Sequence, residues 1–248
     1  AQDPGGRLLQ TWAWGELKAA HGWYAHRVVL REGTDAPILG AATILARPLP
    51  WPLRCLAYVP RGPVLADPVH APEVATAIAA FCRGLRTVSV TIEPDWDRID
   101  GPDPATWAGW RRASDTILYP RTLVLDLTVS ADDLLKGMQK NTRYYIRRAG
   151  RTGLEVDVVK TAAELAEVLA VFRETSERAG FGLHQDSYYE DLFHLAGDAN
   201  IISYARLDGA VVAFSWALCS GTTAFYLYGG SNDAGQRSNA NRPVLWDC

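Results

Sequence analysis

Apolar and polar positions change rhythm once, sharply, near the middle of the chain. Leu123, Leu125 and Leu127 alternate with other residues and predict a strand. From Ser130 the period becomes three and four, through Leu134, Leu135, Met138, Tyr145, Ile146 and Ala149, and predicts one amphipathic helix. Ser130 with Asp133 is a capping-box spacing, and Val129 and Leu134 occupy the staple positions. Gly153 stops the helix and LEVDVV begins a new strand. The polar face carries Lys136, Lys140, Arg143, Arg147, Arg148 and Arg151, with no acid between Asp133 and Glu155. A solvated helix face normally mixes signs to gain i,i+4 pairs. Cations left to repel one another point instead to an anionic ligand, of which phosphate is the commonest.

The segments on either side alternate helix and strand. Gln10 or Thr11 caps a short helix ended near Gly22, whose tryptophans are expected in the core. Strands are predicted at 26–31, 37–46 and 56–59, followed by the loop PRGP at 60–63. An Ala-rich helix at 72–84, a buried strand at 87–92 ending in Glu93-Pro94-Asp95, and a short helix at 107–112 follow. After Val159, Thr161 with Glu164 opens a helix running to Ala179 and stopped by Gly180. A second helix spans 186–195. Strands at 200–207 and 210–218 flank the turn Asp208-Gly209, a third strand covers 222–228, and Pro243 opens a last helix. This order reads as two α/β (α+β) units, 1–120 and 121–248.

Composition places these elements in a globular chain of 248 residues, with 48% hydrophobic and 21% charged residues. No apolar run approaches the roughly 20 residues of a membrane span. The net charge of −3 means that any nucleic-acid contact must be a local patch, such as the basic helix. Cys55, Cys82, Cys219 and Cys248 lack metal-ligand spacing and read as reduced thiols of a cytoplasmic protein; no metal is expected. His21, His26, His70 and His194 are scattered and read as packing or surface residues. No secretory signal pattern is present, and the chain begins at Ala1, as a trimmed sequence would.

Four segments, in order, resemble the FemABX family of peptidoglycan bridge-forming aminoacyltransferases. They are QTWAWGELKAAHGW (10–23), VLDLT with KNTRYYIRRAGRTGLEV (124–156), SERAGFGLHQDSYYEDLF (176–193), and AFYLYGGSND with RPVLW (224–246). The resemblance implies two tandem GNAT-like domains. It implies transfer of an amino acid from aminoacyl-tRNA to the stem-peptide amine of a UDP-linked or lipid-linked muropeptide. A lipid-linked acceptor would bring the protein to the inner membrane surface. No cofactor is implied beyond aminoacyl-tRNA as co-substrate.

Position by position, Lys18 matches a basic residue on the precursor's diphosphate, Tyr188 and Tyr228 match tyrosines lining the precursor cleft, and Glu93 matches an acid near the reacting amine. The basic helix corresponds to the segment that meets tRNA. His184 stands where the family can carry a diphosphate-binding arginine, and an imidazole cannot grip phosphate bidentately. The chain stops at Cys248, so the second domain is expected to lack its last helix and strands, together with a lysine that the family uses there.

The chemistry would be aminolysis of an activated ester, which requires positioning and oxyanion stabilisation rather than a protein nucleophile. Two other readings compete. An acyl-CoA-dependent GNAT enzyme should show an R/Q-x-x-G-x-G/A loop, which is absent. A non-catalytic RNA-binding module would use the same arginines.

Overall fold

A computed structural model describes residues 7–96 and 107–248. The chain divides into two compact units, Ala1–Thr122 and Leu123–Cys248.

The first unit is organised on a mixed sheet. Helix α1 (Trp12–Ala20) precedes β1 (Tyr24–Arg31), β2 (Ile38–Pro48), β3 (Cys55–Pro60) and the short β4 (Val64–Leu65); α2 (Ala71–Gly84) and β5 (Ser89–Glu93) follow. The strand order is β1-β2-β3-β5, with β4 also pairing with β2; among the described strands of this unit only the β3–β5 pair is parallel. Helix α2 packs on this sheet, and Val74, Ile78 and Cys82 meet Ala42, Ile44, Ala57 and Val59 in the core. β5 is half-exposed rather than buried as expected, because it lies at the end of the strand order and among the described residues pairs with β3 alone. The helix expected at 107–112 is a single turn, closed by Trp110 N–H donating to the Trp107 carbonyl.

Thr11, not Gln10, caps α1 by accepting from Trp14 N–H. Gln10 joins the segment before α1 to the sheet instead. Its Oε1 accepts from Thr43 N–H at 2.8 Å, and its Nε2 donates to the carbonyl of Pro60. The approach is tight enough that a Cβ on Gly62 would sit 2.6 Å from Gln10 Cδ. The tryptophans of this region do not form the core that their density predicts. Leu17 and Gly15 are the buried residues of α1, whereas Trp12 is exposed. Each indole carries a cation: Arg27 lies 3.6 Å from the Trp12 ring, Lys18 5.0 Å from Trp14 and Arg47 5.6 Å from Trp23.

The second unit departs from expectation at its start. Residues 123–127 form no strand; Leu123 and Leu125 are 94% and 74% exposed. Alternation alone does not make a strand, which needs a neighbour to satisfy its backbone groups. Among the described residues this segment has no such neighbour.

The predicted single basic helix is two helices, α3 (Ala131–Gly137) and α4 (Lys140–Arg148), followed by a 3₁₀ turn at Ala149–Arg151. Met138 and Gln139 between them are extended. Gly137 is a poor helix former. A continuous helix would also set Lys136 against Lys140 one turn away, a destabilising like-charge pair. Ser130 caps α3 as predicted, accepting from Asp133 N–H.

The remainder is a four-stranded antiparallel sheet, β6 (Leu154–Val158), β7 (Asn200–Leu207), β8 (Ala210–Ser220) and β9 (Thr223–Ser231), in that order. Helices α5 (Ala162–Ala179) and α6 (Asp186–Ala196) lie between β6 and β7; α7 (Asp233–Ser238) and α8 (Asn241–Asp247) follow β9. The capping box of Thr161 and Glu164 is formed and Gly180 ends α5 at φ 73°, as the sequence predicts. β8 is buried along most of its length, in keeping with its nearly continuous apolar run. Phe214 packs against Phe172 of α5, and Ala213 clusters with Val244 of α8.

Replacing Gln10 with Ala should destabilise the first unit by about 2 kcal/mol, because the buried backbone of Thr43 and the Pro60 carbonyl lose their partner. Denaturant unfolding followed by tryptophan fluorescence would measure the loss.

Candidate functional site

The candidate residues fall at four places, two in each unit. In the first, β5 delivers Glu93 beside the end of β3, since Pro60 and Glu93 are in register. Tyr58 donates its hydroxyl proton to Glu93 Oε2. The same carboxylate accepts from the backbone amides of Ile117 and Leu118, the latter at 3.2 Å. Burial, then the hydrogen bond and negative charge of Glu93, push the Tyr58 phenol well above the ordinary tyrosine range. Glu93 therefore anchors the 117–118 loop and also borders a cavity of about 330 Å3 with Arg61, Trp96, Trp107, Trp110 and Arg112. Arg61 adopts the left-handed conformation at φ 48°, donates to the Tyr119 carbonyl at 2.7 Å and approaches Asp95 at 3.6 Å. Sequence reasoning missed Tyr58 and Arg61. The available signals were the position of Tyr58 two residues before the strand end and of Arg61 in the PRGP loop.

Lys18 lies in the last turn of α1, half-buried over Trp14. Burial lowers its ammonium pKa to about 8. A cation disfavoured in this way gains from a nearby anion, which offsets the lost hydration.

In the second unit, His184, Tyr188 and Tyr228 come together. The His184 ring stacks on Tyr188 with centroids 4.1 Å apart, and the Tyr189 hydroxyl oxygen accepts from the backbone N–H of His184 at 3.2 Å. Tyr188 is 2% exposed and its hydroxyl hydrogen-bonds to Tyr228. Burial raises both phenols well above the ordinary range. Tyr228 sits beside a β-bulge, where Trp216 faces Tyr228 and Ala217 faces Tyr226, leaving Leu227 as the extra residue. Phe172, Tyr189 and Trp216 hold Tyr228 from three sides. Tyr188 is thus a packed tyrosine with a satisfied hydroxyl, and the exposed group of this cluster is His184.

The fourth place is α4. Lys140, Arg143, Tyr144, Arg147, Arg148 and Arg151 line one concavity of about 660 Å3. Lys136 is not part of it and pairs with Asp133 at 2.8 Å. Arg143 faces the concavity but also donates to the carbonyls of Lys136 and Met138, so it closes the break between α3 and α4. Hence the expectation of six unpartnered cations is corrected for these two. Arg148 donates to the Tyr144 hydroxyl and lies 5.5 Å from that ring. Tyr144 was not anticipated, although its place between Arg143 and Arg147 and Arg148 on the helix is the signal for it. Across the helix, Arg242 of α8 covers Tyr145 at 4.8 Å and fixes α4 to the unit.

A model of the FemAB family matches residues 1–99 and 104–211. The chain belongs to the FemAB family. A lipid II:glycine glycyltransferase of Staphylococcus aureus (strain COL) is 28% identical over 218 residues, 80% of this chain and 50% of that protein. The protein of the same name from strain MRSA252 is 27% identical over 219 residues, with the same coverage. The chain spans about half the length of these curated relatives, 50% in each case. A crystal structure of FemX matches 98% of this chain and 80% of its own with a TM-score of 0.79 at 18% identity, which establishes a common fold. That fold is α+β, and the chain builds it as two compact units in sequence. Among the described residues no helix is long and apolar enough to cross a membrane.

The depressed Lys18 pKa has a checkable consequence. The chain has four lysines, Lys18, Lys136, Lys140 and Lys160. After reductive methylation with 13C-formaldehyde, one dimethyl-lysine signal should titrate near pH 8 and disappear in Lys18→Arg. Between pH 8 and the ordinary lysine value the unfolded chain holds a proton that the folded chain has released. Stability should therefore rise with pH in that window, and Lys18→Met should lack this rise.

Proposed function

We propose that this FemAB chain is part of an aminoacyltransferase that moves an amino acid from aminoacyl-tRNA to the stem-peptide amine of a peptidoglycan precursor. The observation that carries the reading is the acid-free concavity on α4, in which Lys140, Arg147, Arg148 and Arg151 surround an exposed tyrosine. Such a surface suits a phosphate backbone with a base or ribose against the ring. The relatives' name, lipid II:glycine glycyltransferase, favours glycine as the transferred residue and a lipid-linked acceptor over a UDP-linked one.

In this reading the acceptor amine attacks the ester carbonyl of the charged tRNA. A tetrahedral oxyanion forms, the C–O bond to the terminal ribose breaks, and the ribose hydroxyl recovers a proton as the amide is made. The activated ester arrives with the tRNA, so the reaction asks for no cofactor and no metal. Its demands on the protein are to hold two anionic substrates, accept the ammonium proton and stabilise the oxyanion. Lys18 is suited to a diphosphate, whose charge would restore the proton affinity that burial removes. His184 presents an imidazole near the Tyr188–Tyr228 pair for the muropeptide. Glu93, held by Tyr58 and two backbone amides, is placed to position an ammonium rather than to move freely.

Radiolabelled amino acids on total tRNA, offered with lipid-linked and UDP-linked muropeptide in turn, test this directly. Glycine should move to the lipid-linked acceptor, and RNase pretreatment should abolish transfer. Label that stays on a bound tRNA, in a chain extended to the relatives' full length, would leave an RNA-binding module. Arg147→Gln with Arg151→Gln should weaken tRNA binding about tenfold at moderate salt and lower the salt slope by roughly one per lost phosphate contact.

A further inference from the structure

One end of the first unit's sheet gathers apolar side chains that are exposed among the described residues. The β2–β3 connection, Leu49-Pro50-Trp51-Pro52-Leu53-Arg54, is closed by Leu49 N–H donating to the Arg54 carbonyl at 2.9 Å. Trp51 at its tip is 93% exposed and Leu53 51% exposed. Pro48, Pro50 and Pro52 fix three backbone φ angles, so the tip loses little further freedom when it meets a surface. Strand register brings further groups to the same end. Tyr24 pairs with Ala46 at the start of β1, Pro48 pairs with Cys55, and Val88 N–H donates to the Cys55 carbonyl at 2.9 Å. Tyr24 and Val88 are exposed there, at 62% and 49%.

The charges at this end are of one sign. Arg47, Arg54, Arg83 and Arg86 are all exposed and frame the loop and the entry to β5. The segments that build this end, 17–31, 36–66 and 74–92, contain no aspartate or glutamate. The unit's described acids lie elsewhere, as in the β1–β2 turn (Glu32, Asp35) and at the far end of β5 (Glu93, Asp95).

We propose that this end of the first unit docks on an anionic lipid bilayer, with Trp51 and Leu53 entering the interface and the arginines meeting lipid phosphates. Indole rings favour the headgroup level, where their apolar body and polar N–H are both satisfied. Arginine bears a fork of donors for phosphate and buries its stem against apolar surface. An acid-free rim avoids repulsion from the negative leaflet. Docking would bring a lipid-linked acceptor within reach without a spanning helix. The proposal rests in this respect on the transferase reading, but the surface can be tested without it.

The test uses the full chain and vesicles that contain neither precursor nor tRNA. Phosphatidylcholine vesicles with and without phosphatidylglycerol are sedimented with the protein at low and high salt. Binding is expected only with phosphatidylglycerol, and salt should weaken it. Trp51→Ala with Leu53→Ser should reduce partitioning tenfold or more, given roughly the transfer energy of two large side chains. Arg54→Gln should reduce it about fivefold. Val69→Ser, at an exposed apolar residue just before α2 and so at the other end of that helix, should change nothing. Circular dichroism and the denaturant midpoint confirm that each variant is folded. Failure of the folded wild type to bind anionic vesicles would overturn the proposal. So would binding that survives Trp51→Ala/Leu53→Ser, or that is lost only on changing Arg147 and Arg151. Amino-acid transfer to a detergent-solubilised acceptor is read separately, so loss of docking and loss of the transferase reading remain distinguishable.

Discussion

A lysine or arginine taken partly out of water must recover its lost hydration from something nearby. In this chain carboxylates are scarce where the cations cluster, and aromatic rings and carbonyls take their place. Lys18 and Arg47 each lie over an indole around α1, and Arg27 lies over Trp12 while also pairing with Glu16 at 2.7 Å. Arg148 and Arg242 do the same with the adjacent Tyr144 and Tyr145 of α4. Arg143 turns to the carbonyls released where α3 ends. A ring face satisfies a cation without neutralising it. The positive potential therefore survives outside the protein, which is the condition for attracting phosphate.

The same constraint shapes the local structure. The charge run between Asp133 and Glu155 does not lie along one straight helix; it is divided, and the division supplies acceptors for one of its own arginines. What remains on α4 is a compact basic concavity around Tyr144 rather than a long stripe. In the first unit, Glu93 has the complementary role of a single carboxylate that ties strand end, loop amides and Tyr58 together at the edge of a tryptophan-lined cavity. The tyrosines of the second unit follow a third pattern, in which burial keeps the hydroxyls protonated and hydrogen bonding between Tyr188 and Tyr228 satisfies them.

Local signals determined a large part of the architecture. Thr161 with Glu164, and Gly180, fix both ends of α5 through groups within four residues. Asp208-Gly209 sets the β7–β8 hairpin because both residues adopt positive φ, at 52° and 82°. The run 210–218 announced strand β8, and the acid-free run of cations announced a basic surface, most of which lines one concavity on α4. Only the tertiary structure decided the rest. Alternation at Leu123–Leu127 could not report whether a neighbouring strand was present to complete its hydrogen bonds. Helical periodicity from 131 to 151 could not report the break at Met138–Gln139, whose carbonyls are satisfied by an arginine reaching back from the next helix. Three tryptophans around α1 looked like core, because hydrophobicity does not record that a cation from β1 or β2 will cover an indole at the surface. The pairings of Glu93 with Tyr58 and of Tyr188 with Tyr228 join residues far apart in sequence. They exist because strand register and helix packing bring those side chains within hydrogen-bonding distance, and no local pattern encodes that.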